Sequence, residues 1–188
     1  MAFPRNSPSA LLLASPNGPA LLSDFGTAWH PDLSAADEPP LNKILDIGTG
    51  PYRAPEVLFA HRAYGPSVDM WALGVMLSEA SRTTPPPTPV FESRPVDEDG
   101  NQLGLILSIF KTLGTPTPET WPEAAHFTVS PFELWTVFPH RPWHEILPDV
   151  DPVWRDLIAA LIRFDSRRAT ASAVSSHAPT TTLMSTLC

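Results

Sequence analysis

The residues predict a mainly α-helical fold with one small β-hairpin. Three observations carry this. The stretch 66–81 is apolar around the whole circumference of a helix; 101–113 and 151–164 repeat apolar residues at helical spacing; and two short apolar runs, 11–13 and 20–22, flank a dense turn signal. At 188 residues and 43% hydrophobic content, the chain suffices for one ordinary domain or one large lobe of something bigger. Its 24 prolines exceed the usual share of about 5% and predict many loops and short helices.

Residues 1–10 are polar and proline-broken, hence irregular. Leu11-Leu12-Leu13 and Ala20-Leu21-Leu22, joined through Ser15-Pro16-Asn17-Gly18-Pro19, read as the two strands of the hairpin. From Asp24 to Glu56 periodicity is weak, and an unstructured stretch that long is normally functional or disordered. Its proline-rich middle, 34–40, is expected to be mobile and its two ends ordered.

The helix over 66–81 opens at Gly65-Pro66 and closes before Pro85-Pro86-Pro87. A helix apolar on every side sits inside its domain, so Asp69 must find partners or the dipole's positive end. A structural role for it outweighs a catalytic one. After the linker-like 81–100, a helix over 101–113 stops at Gly114 and Pro116. Residues 115–150 form short aromatic and proline-rich packing elements. Asp151-Pro152 opens a helix to about Phe164, a short helix follows near 169–177, and the tail frays.

The net charge of −8 argues against nucleic acid or an anionic membrane as partner. A single cysteine, Cys188, rules out an internal disulfide and fits a reducing, intracellular compartment. The run 10–14 is shorter than a signal peptide's apolar core. His140 and His144 have metal-ligand spacing, but Pro142 between them breaks the helical geometry.

The chemistry-bearing residues come in order. Asp24-Phe25-Gly26 follows a strand, where a carboxylate could hold Mg²⁺ between phosphate oxygens, the Phe pack inward and the Gly let the chain turn. Gly50-Pro51-Tyr52-Arg53-Ala54-Pro55-Glu56 closes the long segment, and Asp69-x-Trp71-x-x-Gly74 lies on the central helix. Together these resemble the C-terminal lobe of a eukaryotic Ser/Thr protein kinase. The run 109–116, with Trp121-Pro122 after it, is similar to a hallmark of the cyclin-dependent and MAP kinase (CMGC) group. Residues 161–171 resemble that group's closing motif, one residue short. The likeness is to cyclin-dependent-kinase-like enzymes, akin to the fungal single-chain kinases that activate other cyclin-dependent kinases.

The resemblance implies a helical kinase C-lobe over 11–178 with its N-lobe absent, an activation segment over 24–56, a catalytic-loop remnant over 1–10 and a tail over 179–188. It makes Asp24 the metal-binding Asp, Thr49 the hydroxyl that braces a catalytic Asp, and Glu56 the partner of Arg168. Phe25, Gly26, Tyr52, Arg53, Ala54 and Pro55 join the activation segment; Asp69, Trp71 and Gly74 are structural. Ile44 stands where many relatives carry a phosphorylated Thr. Arg5, Ser7 and Ala10 fall at the positions of the catalytic Asp, Lys and metal-binding Asn. An arginine cannot accept a hydroxyl proton, and alanine offers a metal no side-chain oxygen. ATP and Mg²⁺ are the cofactors the family implies. Protein substrates or docking partners would meet the helix 101–113 and the loops after it, and a cyclin-type subunit is implied only with an N-lobe. The residues leave open whether this chain is an enzyme. An inactive transferase domain, a pseudokinase-like protein-binding module and a truncated gene product are the readings they allow.

Overall fold

The computed structural model describes residues 8–15, 18–93, 102–133 and 136–169. Strands β1 (Leu11–Leu13) and β2 (Ala20–Leu22) pair antiparallel with Leu12 opposite Leu21. Helices follow as α1 (Pro31–Ser34), α2 (Pro55–Leu58), α3 (Ser67–Ala80), α4 (Leu103–Leu113), α5 (Trp143–Ile146) and α6 (Pro152–Leu161).

The body is built round α3. Val68, Trp71, Ala72 and Val75 are buried on it, and α6 packs along it. That crossing is close because Gly74 has no side chain: a Cβ there would lie 2.6 Å from Cγ1 of Ile162 and 3.0 Å from Cβ of Leu161. Pro66 caps α3 rather than opening its first turn, and Ser81 closes it. An aromatic cluster joins the other elements to this rod. Trp71 stacks on Phe91 at 5.3 Å, Trp121 meets Phe127 and Phe164 at 5.2 Å, and Phe59 stacks on Phe110 at 6.1 Å. The tryptophans among the described residues that face this core are packing residues, as large apolar rings buried together should be.

α4 begins at Leu103 and ends where Gly114 turns to φ 92°, a backbone suited to glycine. α6 starts as its Asp-Pro pair predicts, with the Asp151 carboxylate accepting from the Val153 N–H at 2.9 Å. It stops three residues early, at Leu161. The chain must turn there to bury Ile162 and set Phe164 against Trp71, Phe110 and Trp121. The helix expected near 169–177, the tail and Trp135 lie outside the described residues. So do Arg5 and Ser7.

The stretch 24–56 is more regular than its sequence suggests. It holds single 3₁₀ turns at Phe25–Thr27 and Gly50–Tyr52 besides α1 and the start of α2. Its proline-rich middle, expected to be mobile, is tied in place: Trp29 Nε1 donates to the Glu38 carbonyl at 2.9 Å, and the Glu38 carboxylate accepts from the Ile44 N–H at 2.7 Å. No helix among the described residues is long and apolar enough to cross a membrane.

Candidate functional site

The hairpin decides where the first site residues stand. Its ladder continues one step past Leu11 and Leu22, since the Ala10 carbonyl accepts both the N–H (2.9 Å) and the hydroxyl (3.1 Å) of Ser23. Ala10 and Asp24 therefore share one end of the hairpin. Ala10 is buried, while Asp24 is exposed in the left-handed region at φ 61°, ψ 63°. Asp adopts that conformation more readily than most residues. Its carboxylate lies over Gly26, 3.5 Å from where a Cβ would stand. Phe25 points outward, 52% exposed, rather than packing inward.

The far end of the segment is fastened to the body. Gly48 takes φ 70°, and its carbonyl accepts twice from the Arg53 guanidinium, at 3.0 and 3.2 Å. Arg53 also reaches Asp46 at 3.5 Å. Thr49 is exposed ahead of the 3₁₀ turn. The Tyr52 hydroxyl donates to the Glu79 carboxylate on α3 at 2.6 Å; burial first, then Glu79, pushes its pKa up. Ala54, Pro55, Glu56 and Val57 are buried where α2 begins.

Glu56 is the unusual group. Its carboxylate accepts from the Ser67 hydroxyl at 3.0 Å. Burial pushes its pKa up to about 7, the Ser67 bond opposing the shift and the Glu123 charge adding to it. The expected Glu56–Arg168 pair is not formed. The Arg168 side chain is 71% exposed and lies 3.3 Å from Asp165, which also holds Arg167 at 3.0 Å. The shortened motif accounts for this: Asp165 opens a tight turn whose carbonyl takes the Arg168 N–H at 3.0 Å, keeping that residue on the surface. A cavity of about 80 Å³ remains beside Glu56, lined also by His61, Ser67, Glu123 and Ser166.

On α3, Asp69 is buried in the first turn; burial first, then the charges of Glu38 and Asp69, push the Tyr64 hydroxyl's pKa up. Trp71 and Gly74 serve the packing already described. Sequence reasoning missed Lys43, Ser67, Glu79 and Glu123, each of which fastens or surrounds the segment. The signal for Lys43 was present: a lone lysine between Leu41, Ile44 and Leu45. The other three are ordinary polar residues whose partners lie far off in sequence.

The arrangement supplies one exposed carboxylate, Asp24, for a cation. The described residues do not complete a Mg²⁺–nucleotide centre. The position that the resemblance gives to the second metal ligand is Ala10, whose carbonyl accepts from Ser23, and among the described residues no three His, Cys, Asp or Glu converge. His140 places Nδ1 2.9 Å from the Leu113 carbonyl, apart from any such cluster.

The protein kinase domain family matches residues 8–178. The Ser/Thr-protein kinase csk1 of Schizosaccharomyces pombe is 35% identical over 175 residues, 90% of this chain and 53% of that protein. Cyclin-dependent kinase 7 of Xenopus laevis is 35% identical over 86% of this chain and 41% of its own, and the Ser/Thr-protein kinase CAK1 of Saccharomyces cerevisiae is 37% identical over 58% and 32%. The chain thus spans about a third to a half of these relatives' length. Among solved structures, the yeast RNA Pol II CTD kinase CTDK-1 complex shares the fold with TM-score 0.72 and 23% identity, over 93% of this chain and 53% of that one. These matches correct the expected fold in one respect. The match runs from residue 8 through the hairpin into the helical body, so the description as a C-lobe whose N-lobe is absent does not stand.

Proposed function

This chain belongs to the protein kinase domain family, with cyclin-dependent-kinase-like Ser/Thr kinases among its relatives, and on that premise we propose that its 188 residues present an activation segment without completing phosphoryl transfer. The observation that supports the reading is the contrast between the two ends of one site. The segment from Asp24 to Glu56 is closed and fastened to α3 through Tyr52–Glu79 and Glu56–Ser67. At the other end Ala10 is buried with its carbonyl occupied, and the neighbouring positions expected to carry the base and its lysine are Arg5 and Ser7.

The family's reaction moves the ATP γ-phosphoryl group to a protein Ser or Thr hydroxyl, with Mg²⁺ neutralising the phosphates. It needs an acceptor for, or orienter of, the hydroxyl proton. A guanidinium at position 5 is donor-only and cannot serve. Asp24 remains able to accept from a solvated cation, but its second oxygen-bearing partner is missing. The test is radiolabelled phosphate transfer to a generic protein substrate by the purified chain. Background-level incorporation, unchanged by Asp24→Ala, is expected; turnover that Asp24→Ala removes would overturn the proposal.

A second reading, a protein-binding module, draws on the hairpin. Leu12, Leu13, Leu21, Leu22 and Phe25 are all 44–62% exposed, an apolar surface that a soluble monomer seldom leaves open. Sedimentation of the purified chain before and after Leu13→Glu plus Leu21→Glu separates the readings: association lost in the double variant supports a binding surface, and a monomer in both counts against it.

A further inference from the structure

Lys43 is a cation placed where cations are seldom found. The residue is 7% exposed, and its ammonium donates to the carbonyls of Pro40 at 2.6 Å and Tyr64 at 2.8 Å. It also lies over two aromatic faces, 4.9 Å from the centroid of Trp29 and 5.1 Å from that of Tyr64. An ammonium held by two carbonyls and two ring faces recovers much of the solvation that burial removes. Burial still lowers its pKa, and the nearby Glu38 charge works the other way.

The partners come from two places. Trp29 and Pro40 belong to the 24–56 segment; Tyr64 belongs to the stretch leading into α3. Around the ammonium the same two stretches are joined by further hydrogen bonds, one between backbones and two from side chains to backbone carbonyls. The Lys43 N–H donates to the Arg62 carbonyl at 3.1 Å, the Arg62 guanidinium donates back to the Lys43 carbonyl at 3.2 Å, and the Tyr64 hydroxyl donates to the Ile44 carbonyl at 2.7 Å. The residues from Glu38 to Ile47 include no Ser, Thr or Tyr, so no hydroxyl in that stretch could take a phosphate.

We propose that Lys43 is the positioning residue that closes the middle of the activation segment onto the helical body, a clamp that works through its own ammonium and without any added phosphate. The term activation segment rests on the kinase reading; the clamp itself does not. Lysine suits the place because its unbranched stem threads between the rings and its three donors can point to two carbonyls at once. Methionine has a similar length and no donor.

The test is hydrogen–deuterium exchange, resolved by residue, on the purified 188-residue chain with Lys43→Met. The N–H groups at positions 42, 43 and 44, bonded to Pro39, Arg62 and Glu38, report the closed segment. Their exchange should accelerate at least about tenfold, while the amides of α3 and α6 stay within about twofold. Unchanged rates at 42–44, or an equal acceleration throughout α3 and α6, would overturn the proposal. Should Lys43→Met fail to fold, Trp29→Leu is compared with Trp29→His, since both lose the Nε1 bond to Glu38 but the imidazole keeps an aromatic face, and both leave the two carbonyls: the excess exchange of Leu over His reads the ring face. An excess of about threefold confined to 42–44 supports the clamp, and no excess overturns it. Catalysis enters none of these readings, so failure of the proposed function would leave them untouched, and failure of the clamp would leave the proposed function standing.

Discussion

Replacing Glu56 by Gln should make the protein more stable at neutral and alkaline pH, against the usual effect of removing a buried side chain's charge. Glu56 is fully enclosed, accepts one hydrogen bond from Ser67 and has no basic partner among the described residues. Its pKa in the folded chain is about 7, against an ordinary 4.5. The folded state therefore binds this proton more tightly than the unfolded state does. The resulting stabilisation is complete below the unfolded value and is lost as pH rises from 4.5 through about 7. At roughly 1.4 kcal/mol per unit, ionisation above that window costs about 3 kcal/mol. Gln keeps the shape and the acceptor for Ser67 and cannot ionise. Urea unfolding of both proteins at about pH 5, 6, 7 and 8 gives the difference between them at each pH. That difference should be about 1 kcal/mol at about pH 5 and grow to about 3 kcal/mol in favour of Gln at about pH 8. Taking the difference cancels groups common to both chains, including His61, whose burial lowers its pKa and so works against stability in acid. A difference that stays flat across the series, or that turns in favour of Glu as pH rises, would show that Glu56 has found a cation and would refute the account given of Arg168.

Three further outcomes follow from the packing. Gly74→Ala drives a methyl group to 2.6 Å from Ile162 and 3.0 Å from Leu161. Overpacking of about 1–3 kcal/mol should outweigh the helix propensity gained, up to about 1 kcal/mol, and lower the thermal midpoint. Asp149→Ala strands the half-buried Arg82, which donates to that carboxylate at 2.7 Å, and frees the Thr83 N–H, bonded at 3.3 Å. A loss of about 2–3 kcal/mol is expected in urea unfolding, below the full penalty for a buried pair because water reaches both partners. Ala60 sits at φ 57°, a left-handed position that costs an L-residue about 1–2 kcal/mol. Ala60→Gly should therefore raise stability by about 0.5–1 kcal/mol once the entropy of the unfolded chain is subtracted, measured by the same unfolding curves.

Local chemistry explains which parts of the fold were legible. The turn-forming Pro-Asn-Gly-Pro between two apolar triplets gave the hairpin to the residue, because short-range rules alone decide such a connection. α3, α4 and the start of α6 were legible for the same reason: each carries its own proline or glycine punctuation. The end of α6 was not. Its apolar stripe continues to Phe164, but the aromatic cluster needs that ring turned inward, and tertiary packing overrode the period. In the 24–56 segment the order comes from contacts tens of residues apart, Tyr52 with Glu79 and Lys43 with Tyr64, which no window of neighbouring residues contains.

The case of Glu56 shows how a motif can be present and its interaction absent. Ala54-Pro55-Glu56 is buried at the head of α2, and the closing motif still supplies Arg167 and Arg168 just after Asp165. One missing residue in that motif changes which atoms the turn presents. Asp165, only 7% exposed, captures both guanidinium groups at the surface, within two or three residues of itself, at almost no cost in loop entropy. A pair with Glu56 would have required an arginine to leave that carboxylate and shed its water inside a cavity already shared by Glu123. The carboxylate nearer in the chain wins, and Glu56, left without a cation, binds its proton more tightly than an ordinary carboxylate. The spacing of charged residues is therefore a weaker guide than their identity. Two residues matched to a family pattern form its salt bridge only if the backbone between them delivers the atoms.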